Sequence, residues 1–147
     1  MRLWHYQLIP VLPNQMLVSQ WRECIAIKRQ WEKGTLKHRL VSYVMDREKI
    51  TFVSYVLDVV REMEKRGFKY QDKFLNEIVN FCEPSVWDIY PHNIHYPEHN
   101  DQYLEQCYYN LEEKHDRGII SDEEWEPINK VWWEYQDRGF YWLWRNI

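Results

Sequence analysis

At 147 residues the chain is long enough for one domain with a real core and too short for two large ones. It has no run of about 18 apolar residues and no apolar segment behind a basic start, and its three cysteines, Cys24, Cys82 and Cys107, lack a CxxC pair; this argues against a membrane span, an export signal, a disulfide framework or a zinc knuckle, and fits a reducing cytoplasm. The net charge of −4 conceals an asymmetry: residues 1–82 carry 14 Lys and Arg against 9 Asp and Glu, whereas residues 83–147 carry 5 against 14, so the first half has the charge for a nucleic-acid face that the whole chain lacks.

In chain order the pattern is helical almost throughout. The first predicted helix runs from Asn14 to Lys33 and stops at Gly34, with Leu17, Trp21, Cys24 and Trp31 on one stripe. Leu36 to Asp46 reads as a second, shorter helix. Glu48 to Arg66 carries Phe52, Val53, Val56, Leu57, Val60 and Met63 at helical spacing and ends in Lys65-Arg66-Gly67, a basic C-terminus with a glycine stop. Its β-branched residues leave a strand over Ile50 to Val56 as the alternative. Tyr70 to Phe81 is predicted helical. Pro84, Pro91 and Pro97 then mark a loop from Glu83 to Asn100 that coincides with the change of charge. Asp101 to Asp116 resumes helical spacing ahead of Gly118, and Ser121-Asp122-Glu123-Glu124 has the form of a capping box opening a last helix through Trp125, Ile128, Trp132 and Tyr135 to Gly139. The expected fold is all-α, a single compact domain of five or six helices: a basic core over 1–82 with an acidic, aromatic-rich helical extension over 83–147 packed on it. Nine Trp, eleven Tyr and five Phe are more rings than a core of this size needs, so some are expected on a binding surface.

Chemistry concentrates on the first helix. At 100° per residue Arg22, Arg29 and Lys33 fall within about 40° of one another and form a basic stripe. Glu23 lies on the adjoining part of the polar face beside Ser19, Ala26 and Gln30, whose small or neutral side chains leave room over a carboxylate. A second candidate is the loop cluster His92, His95, Glu98 and His99, whose residue types suit a metal; since no helix presents them on one face and no cysteine joins them, a hydrogen-bonded loop or a phosphate contact is the preferred reading, and neither a metal nor another cofactor is expected.

The segment Met1-Arg2-Leu3-Trp4-His5, the apolar stretch after it, and Leu12-Pro13-Asn14-Gln15-Met16-Leu17 leading to Trp21-Arg22-Glu23 resemble the pyrimidine-dimer DNA glycosylase family of the phage endonuclease V type. The resemblance covers residues 1 to about 34 well and continues more weakly over Ile50-Thr51-Phe52 and Lys65-Arg66-Gly67-Phe68. The opening MRLWH and the segment Tyr96-Pro97-Glu98-His99 are similar to a bacterial branch of that family. The resemblance implies an endonuclease V-like helical core and a DNA-repair glycosylase with AP-lyase activity, acting on pyrimidine-dimer or abasic sites in duplex DNA. In such enzymes a terminal α-amine attacks the sugar C1′, the base departs, and the resulting imine permits β-elimination. The catalytic glutamate maps onto Glu23, its arginine neighbour onto Arg22, and the amine onto Met1, because the bulk of Arg2 opposes removal of the initiator methionine. Where the family carries a histidine and a further arginine on this helix, the chain has Met16 and Ala26; Arg2, His5 and Arg29, with Arg22 and Lys33, are then the expected DNA contacts. The C-terminal Tyr141, Trp142, Trp144 and Arg145 resemble in kind an aromatic tail that touches DNA, against the alternative that they pack on the first helix. The other readings are a noncatalytic DNA-binding or protein-interaction module on the same scaffold and, more remotely, a metal-dependent hydrolase built on the histidine loop.

Overall fold

The computed structural model describes residues 1–83 and 94–145, with side chains through Arg138. Five α-helices are found among the described residues, α1 (Asn14–Glu32), α2 (Lys49–Lys65), α3 (Asp72–Cys82), α4 (Asp101–Asp116) and α5 (Asp122–Arg145), with 3₁₀ turns at Tyr6–Val11 and Ser42–Asp46 and no strand. The fold is the expected all-α domain.

Most helix ends fall where local chemistry puts them. Gly34 and Gly67 adopt φ of 72° and 79°, a left-handed conformation that side chains with a Cβ resist, and these two residues terminate α1 and α2. At α5 the Ser121 Oγ accepts the Glu124 N–H at 3.2 Å while Glu124 Oε1 accepts the Ser121 N–H at 3.0 Å, so both halves of the capping box form. The strand alternative for Ile50 to Val56 is not realised: Phe52, Val53, Tyr55, Val56, Val59, Val60 and Met63 are all buried along α2.

Two expectations are corrected. Leu36 to Asp46 is not a helix but an irregular connection ending in the 3₁₀ turn. Its buried apolar residues, Leu36, Val41 and Val44, stand five and three positions apart and do not make a continuous helical stripe. The backbone instead turns on His38, whose carbonyl accepts the N–H groups of Val41 and Ser42 at 3.1 and 2.9 Å. At the other end, α5 passes through Gly139 to Arg145; a glycine inside a helix costs only about 1 kcal/mol relative to alanine and ends one only if it turns left-handed.

One core serves both halves of the chain. α1 packs on α2, α2 on α3 and α4 on α5, while the Tyr6–Val11 turn lies against α2 and α5. Leu17, Ile27, Phe52 and Ile78 from the basic half share a cluster with Leu104, Leu111 and Ile128 from the acidic half. Aromatic residues fill much of it: Trp31 meets Phe52 and Phe81 edge-on, and Tyr108 stacks on Trp132 with centroids 4.7 Å apart and its hydroxyl on Asn129 Oδ1 at 2.7 Å. Among described side chains, Tyr109 and Trp133 are the large exposed rings. Leu3, Trp4, Leu8, Ile9 and Leu12 drive the N-terminal segment into the same core, each such burial stabilising by about 1.5–3 kcal/mol.

Candidate active site

Residues 2–4 belong to no helix or strand, so their backbone polar groups need side-chain partners. Three helices supply them. Glu23 Oε2, on α1, accepts the Arg2 N–H at 3.3 Å, and Gln20, one turn earlier, spans the rest: its Nε2 donates to the Arg2 carbonyl at 2.9 Å and to Glu23 Oε2 at 3.2 Å, while its Oε1 accepts the Trp4 N–H at 2.8 Å. From α2 the Tyr55 hydroxyl lies 2.7 Å from the Trp4 carbonyl and 3.0 Å from Gln20 Oε1, with one proton to share between two acceptors. From α4 the Tyr103 hydroxyl donates to the Leu3 carbonyl at 2.5 Å. Gln20 is 1 % exposed, so its bonds to Trp4 and Tyr55 are buried, while those to Arg2 and Glu23 lie at the partly buried edge of the cleft. Burial raises the pKa of both Tyr55 and Tyr103, which keeps them as neutral donors.

This clamp lays the chain terminus along the Glu23 carboxylate at an open cleft of about 350 Å³, whose walls include Met1, Arg2, Trp4, Glu23, Leu40, Asn110 and Lys114. Arg2 also lies over the Trp4 ring, 5.3 Å from its centroid. The space over Glu23 is therefore shaped by the terminus, the loop after α1 and the middle of α4, rather than by Ser19, Ala26 and Gln30. Arg22 is exposed on the adjoining face of α1 and is not part of the cleft wall, and Lys33 is exposed at the helix end. Arg29 is exposed as well, over the Phe74 ring and 3.8 Å from Glu77. Of the sequence candidates the structure thus gathers Met1, Arg2 and Glu23 at one cleft and leaves Arg22, Arg29 and Lys33 on the neighbouring solvent face.

His5, one of the expected DNA contacts, is buried, 2 % exposed. Its Nδ1 accepts the Gln7 N–H at 3.1 Å, which caps the 3₁₀ turn, and burial lowers its pKa to about 4. It is one plate in a stack of rings: Tyr6 lies on His95 with centroids 3.6 Å apart and planes within 3°, and His5 faces Tyr6 at 4.7 Å and His99 at 5.4 Å. His99 Nδ1 accepts the Tyr6 N–H at 3.2 Å, so its proton sits on Nε2, which meets the Tyr43 hydroxyl at 2.8 Å. Burial lowers the His99 pKa to about 3. Glu98 pairs with Arg47 at 2.8 Å. His92 lies outside the described residues. His95 stacks on Tyr6, Glu98 pairs with Arg47 and His99 bonds Tyr6 and Tyr43, and no three His, Cys, Asp or Glu side chains among the described residues are grouped to hold a metal. The Tyr141, Trp142, Trp144 and Arg145 side chains also lie outside the described set. No helix among the described residues is long and apolar enough to cross a membrane.

Sequence reasoning missed Gln20, Tyr55, Tyr103, Asn110 and Lys114. Gln20 alone left a signal, a polar residue at the edge of the apolar stripe beside Trp21. The others are far away in sequence, and only packing brings them to residue 23.

Residues 1–76, about half of the chain, match the family described as pyrimidine dimer DNA glycosylase. The match takes in α1, α2 and every cleft residue except Asn110 and Lys114, which α4 adds. No curated protein and no solved structure matches the chain.

Proposed function

The chain belongs to the pyrimidine dimer DNA glycosylase family, and we propose that it is a DNA-repair glycosylase with associated AP-lyase activity on pyrimidine-dimer or abasic sites in duplex DNA, using the Met1 α-amine and Glu23. The observation that carries this reading is the Arg2 N–H held 3.3 Å from Glu23 Oε2 at the mouth of an open cleft. An α-amine one residue from that contact meets the two needs of imine chemistry, a nucleophile beside a proton-transfer group. As a class, α-amines are less basic than lysine side chains, which suits them to act as nucleophiles near neutral pH. The amine nitrogen bonds to C1′ of the damaged nucleotide as the glycosidic bond breaks and the base leaves with the electron pair. Loss of the amine proton and opening of the sugar give an imine, which acidifies C2′ and lets the 3′ phosphate leave by β-elimination. Glu23 moves the protons and offsets positive charge at the sugar. Arg2 at the cleft, and Arg22, Arg29 and Lys33 on the adjoining face of α1, contact backbone phosphates.

Borohydride reduces such an imine to a stable amine, so a trapped covalent adduct with abasic or ultraviolet-irradiated duplex DNA is expected, with the label mapping to the N-terminal peptide. No adduct with either substrate overturns the proposal. Glu23→Gln is expected to lower turnover by roughly 10²- to 10⁴-fold. A variant equal to the parent leaves the noncatalytic module as the better reading.

A further inference from the structure

The connection between α1 and α2 does something the fold does not require of it. Leu36 and Val41 are buried at 4 % and 0 % exposure and pin its two ends, while the four residues between them, Lys37, His38, Arg39 and Leu40, are all exposed. The pinned backbone is closed on itself: the His38 carbonyl accepts Val41 and Ser42, the Ser42 hydroxyl reaches the Arg39 carbonyl at 3.4 Å, and the Gln30 carbonyl holds Thr35 at 2.8 Å. A short, hydrogen-bonded turn therefore carries an apolar side chain at 47 % exposure directly behind Lys37 and Arg39. That side chain, Leu40, stands in the wall of the same cleft as Met1 and Glu23.

We infer that Leu40 is a wedge that enters the base stack of duplex DNA at the damaged step, with Lys37 and Arg39 holding the flanking phosphates; this rests on the glycosylase reading above. A duplex hides C1′ chemistry behind stacked bases, and proteins that open a step do so by inserting an apolar side chain, at a cost of a few kcal/mol in unstacking that phosphate contacts offset. Three requirements follow, and the turn meets each. The wedge has to be apolar and exposed before binding, it has to be stiff enough to push against stacked bases, and it has to lie next to the groups that act on the extruded sugar. The cations beside it fit a polyanion and no apolar partner. Met45, 41 % exposed on the same connection but absent from the cleft wall, is the natural control.

The test compares abasic-site cleavage in a duplex and in a single-stranded oligonucleotide, where no stack has to be opened. Leu40→Ala is expected to lower the ratio of duplex to single-strand cleavage about tenfold, while Met45→Ala leaves that ratio at the parent value. A 2-aminopurine placed beside the abasic site, whose fluorescence rises on unstacking, is expected to brighten with the parent protein and not with Leu40→Ala. An active parent whose ratio and fluorescence both survive Leu40→Ala overturns the wedge and leaves the glycosylase reading intact. A parent inactive on both substrates overturns both.

Discussion

Gln20→Leu isolates the clamp that holds the chain terminus on Glu23. Leucine keeps most of the side-chain volume and removes both polar atoms, so packing changes little and hydrogen bonding changes a great deal. The Trp4 N–H, bonded to Gln20 Oε1 at 2.8 Å in a buried setting, loses its acceptor, and the Arg2 carbonyl loses its donor at 2.9 Å. An unsatisfied buried backbone group costs about 1–3 kcal/mol. Tyr55 retains the Trp4 carbonyl, and the Arg2 carbonyl is near enough to the cleft to recover a water, so one buried group, the Trp4 N–H, is left unsatisfied and the expected loss of stability is about 1–3 kcal/mol in urea unfolding. Activity should fall further than stability explains. Glu23 loses the Nε2 contact at 3.2 Å and residues 2–4 keep only the 3.3 Å Arg2 N–H contact to Glu23 as a hydrogen bond to α1; a shift of the terminus by about 1 Å costs on the order of a hundredfold. Single-turnover lyase assays on an abasic duplex, run well below the unfolding midpoint, separate the two effects. A variant as stable as the parent within about 0.5 kcal/mol and equally active refutes the idea that Gln20 positions the terminus.

Acidification should unfold the protein through its buried histidines. His5 and His99 have folded pKa values near 4 and 3 against 6.5 unfolded, so the unfolded chain binds more protons; the stability they confer is complete above pH 6.5 and is lost as pH falls toward the folded values, at up to roughly 1.4 kcal/mol per pH unit for each ring. Urea midpoints that stay flat between pH 6.5 and 4.5 contradict this, whereas His99→Asn should make the slope visibly shallower. Arg66 ties the segment before α1 to α2, donating to the Leu12 and Pro10 carbonyls at 2.6 and 3.0 Å and pairing with Glu62 at 2.9 Å. Arg66→Met is expected to cost about 2–3 kcal/mol in thermal or urea unfolding, since charge-assisted bonds to carbonyls are worth more than neutral ones; a loss under about 0.5 kcal/mol shows the clamp to be idle.

The helices were legible because their signals are local. Gly34, Gly67 and the Ser121 capping box sit within a few residues of the ends they define, and the stripe of α2 from Phe52 to Met63 states its own periodicity. The Leu36 to Asp46 segment misread for a related reason: a short amphipathic pattern is satisfied equally well by a loop pinned at Leu36, Val41 and Val44. The burial of His5 was not legible, because only packing against Tyr6, His99 and Tyr103 makes it core.

The sequence by itself therefore determined an all-helical chain, its basic and acidic halves, and the Arg22-Glu23 pair on α1 within a segment that resembles one family. Tertiary structure alone decided that Glu23 faces a cleft, that Met1 and Arg2 lie on it, and that Gln20, Tyr55 and Tyr103 hold them there. Helix propensity and capping are settled within a turn or two of chain, whereas a contact such as the Tyr103 hydroxyl on the Leu3 carbonyl joins residues one hundred positions apart. Contacts of that kind exist only because burying Leu3, Trp4, Leu104 and Leu111 in one core outweighs the entropy of closing so long a loop.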